Sequence, residues 1–296
     1  MIHIIMRAPT ESPWKSLGIL LGQIIGMALI LLLGLSTVFW ILPLPLSENQ
    51  QHSLYAVLLY GLLYALILHY RKVLVFSAHY SVKKISFGFL CSIGLVNLCW
   101  GISIYVQGLI SSLPDLSVAM LCQIALEAIL LAIAVSWIEE LLFRGLVLGI
   151  LEKAYPAERA VLWQALIFSG LHQFNTQWPL GLRIGAGIGL FLAGLVLGLA
   201  RQKSQGLSWS IGLHAGWIFM CQWGVRAWGL ALPEVPLKTA IYSTQEVNPV
   251  SGIPAIILLT GISYVIMVAN RTLKKDVQLK GNTNGSSSPR KISRHH

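Results

Sequence analysis

The stretch that decides the fold is Ser117 to Ile150, SVAMLCQIALEAILLAIAVSWIEELLFRGLVLGI. Its only charged residues are Glu127, Glu139, Glu140 and Arg144. It is too long for a core strand and long enough to cross about 30 Å of hydrocarbon, so it reads as a transmembrane helix. Working outward, seven more apolar runs reach similar lengths, at roughly 17–43, 54–70, 86–112, 159–176, 182–200, 207–229 and 252–270. The expected fold class is all-α, a polytopic membrane protein of about eight transmembrane helices. Composition agrees, because only 11% of the 296 residues are charged while 55% are hydrophobic. Soluble chains carry about a quarter charged residues, so this one has too few to wrap a water-facing domain.

The formal charge of +10 does not indicate nucleic acid, because the basic residues lie between apolar runs and at the C-terminus. Assigning connections to alternate sides puts 17 of them on one face and only Arg183, Arg226 and Lys238 on the other. The positive-inside rule then sets both termini in the cytoplasm. Cys91, Cys99, Cys122 and Cys221 sit within apolar runs without zinc-ligand spacing and read as small buried hydrophobes. Four regions follow: about three N-terminal helices over 1–116, the helices bearing the polar residues over 117–229, an outer loop and last helix over 230–270, and a basic disordered cytoplasmic tail over 271–296. Glycines at 181, 185, 189, 194 and 198 mark close helix packing.

An ionisable group inside a span costs roughly 2.5–3.5 kcal/mol on insertion scales and is a functional candidate by default. Glu127, Glu139, Glu140, Arg144, His172 and His214 qualify. Residues i and i+4 share a helix face, so Glu140 can pair with Arg144, while Glu139 projects about 100° around the helix and stays free to act as a general base. The alternative is two glutamates making surface pairs at a helix end. Small residues flank His172 in Ser169-Gly-Leu-His172 and His214 in Gly212-Leu-His214-Ala-Gly216, which lets other backbones come close. At about 1.5 Å per residue, Glu139 and Glu140 lie about 15 Å deep, His172 about 20 Å and His214 about 10 Å, near enough to share one cavity open to the cytoplasm. Glu127 lies about 18 Å from Glu139 along the axis and is expected to be protonated or locally paired.

In that order, Glu139-Glu140-x-x-x-Arg144, Phe168-x-x-x-His172 and a later His214 resemble the CAAX protease and bacteriocin-processing family, also called the Abi family, which contains the type II CAAX prenyl endopeptidases. The resemblance covers about residues 115–225. It implies an intramembrane metalloendopeptidase that cleaves a membrane-tethered or hydrophobic peptide or protein at the lipid bilayer. On that reading Glu139 and His172 activate a water, His214 helps to stabilise the oxyanion, and Glu140 and Arg144 support the site. Glu139, His172 and His214 are also candidate ligands for Zn2+, although they come from three separate helices rather than an H-E-x-x-H helix. The family reading admits zinc activation and a metal-free glutamate base alike.

One departure stands out. Family members often carry Asn or Asp four residues after the last histidine, where this chain has Ile218. Losing an oxyanion donor costs about 3–4 kcal/mol unless a group such as Trp217 or Asn175 replaces it. A second function therefore stays open, a catalytically weakened or inactive membrane scaffold of the bacteriocin-immunity type. A third is a transporter relaying protons through Glu127, Glu139 and Glu140.

Overall fold

The computed structural model describes residues 12–41, 48–70, 80–107, 115–172, 180–228, 250 and 252–285. Among them the chain forms helices and no strand: α1 (Pro13–Ile41), α2 (Glu48–His69), α3 (Val82–Gln107), α4 (Val118–Glu152), α5 (Ala157–Leu171), α6 (Leu180–Ser204), α7 (Ser208–Ala227) and α8 (Ile253–Gly285). Each falls on one of the apolar runs. The segments Pro13–Thr37, Val82–Ile102, Val118–Glu152 and Arg183–Ser204 are each long and apolar enough to cross a bilayer, and α2 and α8 carry shorter apolar stretches. Large aliphatic side chains such as Ile30, Leu33, Leu90, Leu130 and Val265 stand exposed on the outside of the bundle. Lipid, not water, is the solvent for such a surface, and the chain is an all-α integral membrane protein.

Glycine sets how closely the helices approach. A Cβ at Gly212 would collide with the backbone carbonyl of Ile85, and one at Gly216 with that of Phe89, so α7 lies backbone to backbone on α3. On the other side of the site, a Cβ at Gly194 would stand 3.1 Å from Ala165 Cα, and one at Gly198 2.9 Å from Val161. The glycines at 194 and 198 thus seat α6 against α5. α4 packs along α7, and α6 along α8.

Several contacts join the helix ends that carry most of the basic residues. Trp14 Nε1 donates to the Tyr155 hydroxyl at 2.8 Å, Ser81 N–H donates to Ser208 Oγ at 3.0 Å, and Arg201 meets both Glu152 oxygens at 2.7 Å. Lys15, Lys84, Lys153 and Lys203 lie near these contacts in sequence.

Two local features differ from the sequence expectation. α4 is not α-helical throughout, because Leu141–Val147 adopts the wider π phase, starting immediately after Glu140. From Leu141 to Leu151 every residue is buried, so this part of the helix is surrounded by protein on all sides. π turns inside α-helices frequently occur at functional sites. The second difference is at the C-terminus, where α8 continues past Arg271 to Gly285, into the tail expected to be disordered. Arg271-Thr-Leu-Lys-Lys-Asp-Val-Gln-Leu-Lys280 is rich in good helix formers, and extending an existing helix needs no new nucleus. Residues 286–296 lie outside the described residues.

Candidate active site

The acidic pair divides its labour as helix geometry requires. Glu140 is fully buried, and its Oε1 accepts from Arg144 at 2.9 Å, with Arg144 also fully buried. The guanidinium carbon lies 4.4 Å from the centroid of the Phe168 ring, and Phe168 meets Phe143 edge to face at 4.9 Å. Arg144 is therefore neutralised on one side and covered by an aromatic face on the other. Glu139 projects elsewhere, and its side chain is 16% exposed.

Its carboxylate faces both histidines. Glu139 Oε2 stands 3.6 Å from His172 Nε2 and 3.8 Å from His214 Nε2. His172 follows the last turn of α5, and its Nδ1 lies 2.7 Å from the Phe168 carbonyl oxygen. A carbonyl only accepts, so Nδ1 carries the proton and donates. His214, on α7, bonds through Nδ1 to Glu140 Oε1 at 2.9 Å, and a carboxylate held by Arg144 is likewise an acceptor. Both rings thus turn Nε2 toward Glu139. The Nε2 to Oε2 separations exceed hydrogen-bond length. Chained together, Arg144 orients Glu140, Glu140 orients His214, and Phe168 both shields Arg144 and holds His172.

These groups open into a cavity of about 240 Å³ lined by Glu139, His172 and His214 with Ser92, Trp217 and Ile218, and otherwise mainly by aliphatic side chains. Ile218 therefore presents an alkyl side chain to the same cavity as the acidic and imidazole groups. Trp217 lines it too, while Asn175 lies outside the described residues. Sequence reasoning missed Tyr60 of α2, whose hydroxyl lies near the Glu139 carboxylate. No signal marked it, because it is one of several tyrosines in an apolar run.

Glu127 is not part of this cluster. Its carboxylate accepts from Arg226 at 2.8 Å and from Gln123 at 3.0 Å, and its side chain is 47% exposed. The local pairing expected from the sequence is present.

One carboxylate and two imidazoles, each ring tied through its other nitrogen to a carbonyl or carboxylate, form a donor set suited to catalytic zinc. As placed, no three His, Cys, Asp or Glu side chains among the described residues stand at metal-holding spacing, and Glu139, His172 and His214 share only the longer approaches given above.

Fold and site together define an integral membrane protein with a carboxylate and histidine cluster buried in a helical bundle. Residues 121–220 match the sequence model of the family described as type II CAAX prenyl endopeptidase Rce1-like, a span that contains Glu139, Glu140, Arg144, His172 and His214. That segment is therefore similar to the type II CAAX prenyl endopeptidases over about a third of the chain. No curated protein and no solved structure matches the chain.

Proposed function

We propose that the protein is an intramembrane endopeptidase that hydrolyses a peptide bond in a membrane-tethered or hydrophobic peptide or protein, using water activated by Glu139 and His172. The observation that carries this reading is the approach of two Nε2 atoms to one Glu139 oxygen, at 3.6 and 3.8 Å, beside an apolar cavity. A water bridging Glu139 and His172 gives up a proton to Glu139 as its oxygen adds to the scissile carbonyl. Glu139 then returns that proton to the leaving amine as the C–N bond breaks. For His214 to donate from Nε2 to the oxyanion it must carry protons on both nitrogens, and the Glu140 carboxylate at Nδ1 supplies the countercharge. If zinc binds, Glu139, His172 and His214 hold it, and it supplies Lewis acidity toward the carbonyl and a more acidic water. The basic residues gathered at one end of the bundle support a cytoplasmic placement of both termini, with substrate arriving from that side or from the inner leaflet.

Glu139→Gln, purified in detergent, should keep its melting temperature and lose peptide cleavage by about three orders of magnitude or more. Undiminished cleavage would sink the assignment. Zinc content measured on wild type and His172→Ala separates the two versions of the mechanism. Near-stoichiometric metal, lost in the variant, supports the zinc version; equal, trace metal in two samples of which only wild type cleaves supports the metal-free one.

The second reading, an inactive or weakened scaffold of the immunity type, draws on Ile218 lining the cavity where relatives often place an amide. Ile218→Asn should then raise cleavage about a hundredfold from a low wild-type level. An active wild type that the substitution leaves unchanged removes the scaffold reading.

A further inference from the structure

A second cavity, larger than the one lined by Glu139, His172 and His214, lies beside it. It encloses about 740 Å³ among α3, α6, α7 and α8, and it shares Leu95, Val196 and Leu213 with the walls of the smaller cavity. Its lining is segregated. Lys84 in the first turn of α3, Lys203, Ser204 and Gln205 at the end of α6, and Trp209 at the start of α7 gather at one end. Beyond them the walls are apolar, including Gly94, Leu98, Val196, Ile262 and Ile266.

The lining follows single helix faces. On α3 the stripe Lys84, Cys91, Leu95, Leu98 keeps to one side, and on α8 Ile262 and Ile266 are one turn apart. From Lys84 to Leu98 the stripe extends about 21 Å, more than half of the roughly 30 Å hydrocarbon thickness. A groove of that length takes the acyl chain of one leaflet from the headgroup inward. The cationic end also lies where the helices end, at headgroup level.

The charges at that end are available. Arg201, a neighbour on α6, is occupied by Glu152, whereas among the described residues neither Lys84 nor Lys203 forms an ion pair with a carboxylate. Gln205 adds an independent observation. It has φ 53, the left-handed position after a helix where glycine is the usual residue, yet the chain keeps a long polar side chain there, lining the cavity.

We propose that this cavity binds one anionic glycerophospholipid, its phosphate between Lys84 and Lys203 with the Gln205 amide as hydrogen-bonding partner, and one acyl chain in the apolar shaft. The two lysines match a phosphate rather than a zwitterion, because a choline group would bring a third positive charge to the same mouth. The binding does not depend on the proposed cleavage chemistry, and it is measured without it.

Native mass spectrometry of the full chain in mild detergent, titrated with phosphatidylglycerol or with phosphatidylcholine of the same acyl composition, tests the assignment. The expected result is one retained phosphatidylglycerol per chain, with at least about tenfold preference over phosphatidylcholine. The double variant Lys84→Gln/Lys203→Gln should lose that preference, and Lys84→Arg/Lys203→Arg should keep it. Gly94→Leu should weaken retention of both lipids by filling the shaft, where a Cβ meets no atom within 4 Å. Soluble glycerol phosphate should fail to displace the lipid. Equal retention of both lipids, a preference that survives Lys84→Gln/Lys203→Gln, or displacement by glycerol phosphate alone would each overturn the proposal.

Discussion

Two glutamate and arginine pairs involve α4, and their distances are nearly the same: 2.9 Å for Glu140 and Arg144, 2.8 Å for Glu127 and Arg226. Their surroundings are opposite. The first pair is fully buried, while both side chains of the second are 47% exposed. Exposed pairs contribute little, because solvent or headgroups can replace either partner. A buried pair is different in kind. Taking two charges out of a polar medium can cancel their attraction, so the pair adds little net stability, yet removing one partner strands the other. Such a pair is best explained by what else it holds, and Glu140 holds the ring of His214. Glu127 bonds only Arg226 and a neighbouring glutamine among the contacts described.

The largest expected effect breaks the buried pair from one side. Arg144→Met should destabilise the protein by about 3–5 kcal/mol, because the Glu140 carboxylate is left charged and uncompensated. Thermal unfolding in detergent measures this, and a melting temperature equal to wild type would mean the pair is not what the bundle depends on. A second variant sharpens the contrast between stability and function. Glu140→Gln/Arg144→Met leaves no stranded charge and should recover most of the lost stability, yet cleavage should stay about 10–100-fold below wild type because His214 loses its charged acceptor. Recovery of activity together with stability would reduce Glu140 to a packing residue. The smallest effect belongs to the exposed pair: Glu127→Gln should leave melting temperature and cleavage rate unchanged within error. Loss of function there would favour the proton-relay reading, since Glu127 lies outside the cluster to which we assign the proposed cleavage.

Much of this was legible in the sequence. The positions of the helices followed from apolar run length, because lipid demands runs that soluble proteins do not need. Glu140 with Arg144, and Glu139 left free, followed from helical spacing alone. The pairing of Gly194 and Gly198 with α5 was foreshadowed by their spacing, though the partner helix was not. Tyr60 could not be found, because its approach to Glu139 joins distant parts of the chain and an aromatic residue in an apolar run looks like any other. The direction of each Nδ1 was also hidden, since it depends on the Phe168 carbonyl and on Glu140 meeting the rings in space. Helix α8 outran its apolar segment because helix propensity, unlike membrane insertion, does not require apolar side chains.

The π segment of α4 has a consequence for how the site tolerates change in chain length. Seven residues, Leu141–Val147, are wound more widely than the helix on either side. A π turn holds about one residue more than an α turn, so deleting one residue here and letting the segment relax to ordinary α geometry would leave the downstream face from Leu148 to Leu151 close to its present phase, whereas the same deletion in an α-helical stretch would turn everything beyond it by about 100°. The segment therefore absorbs a one-residue change in length that any neighbouring turn of α4 would pass on to the packing beyond it.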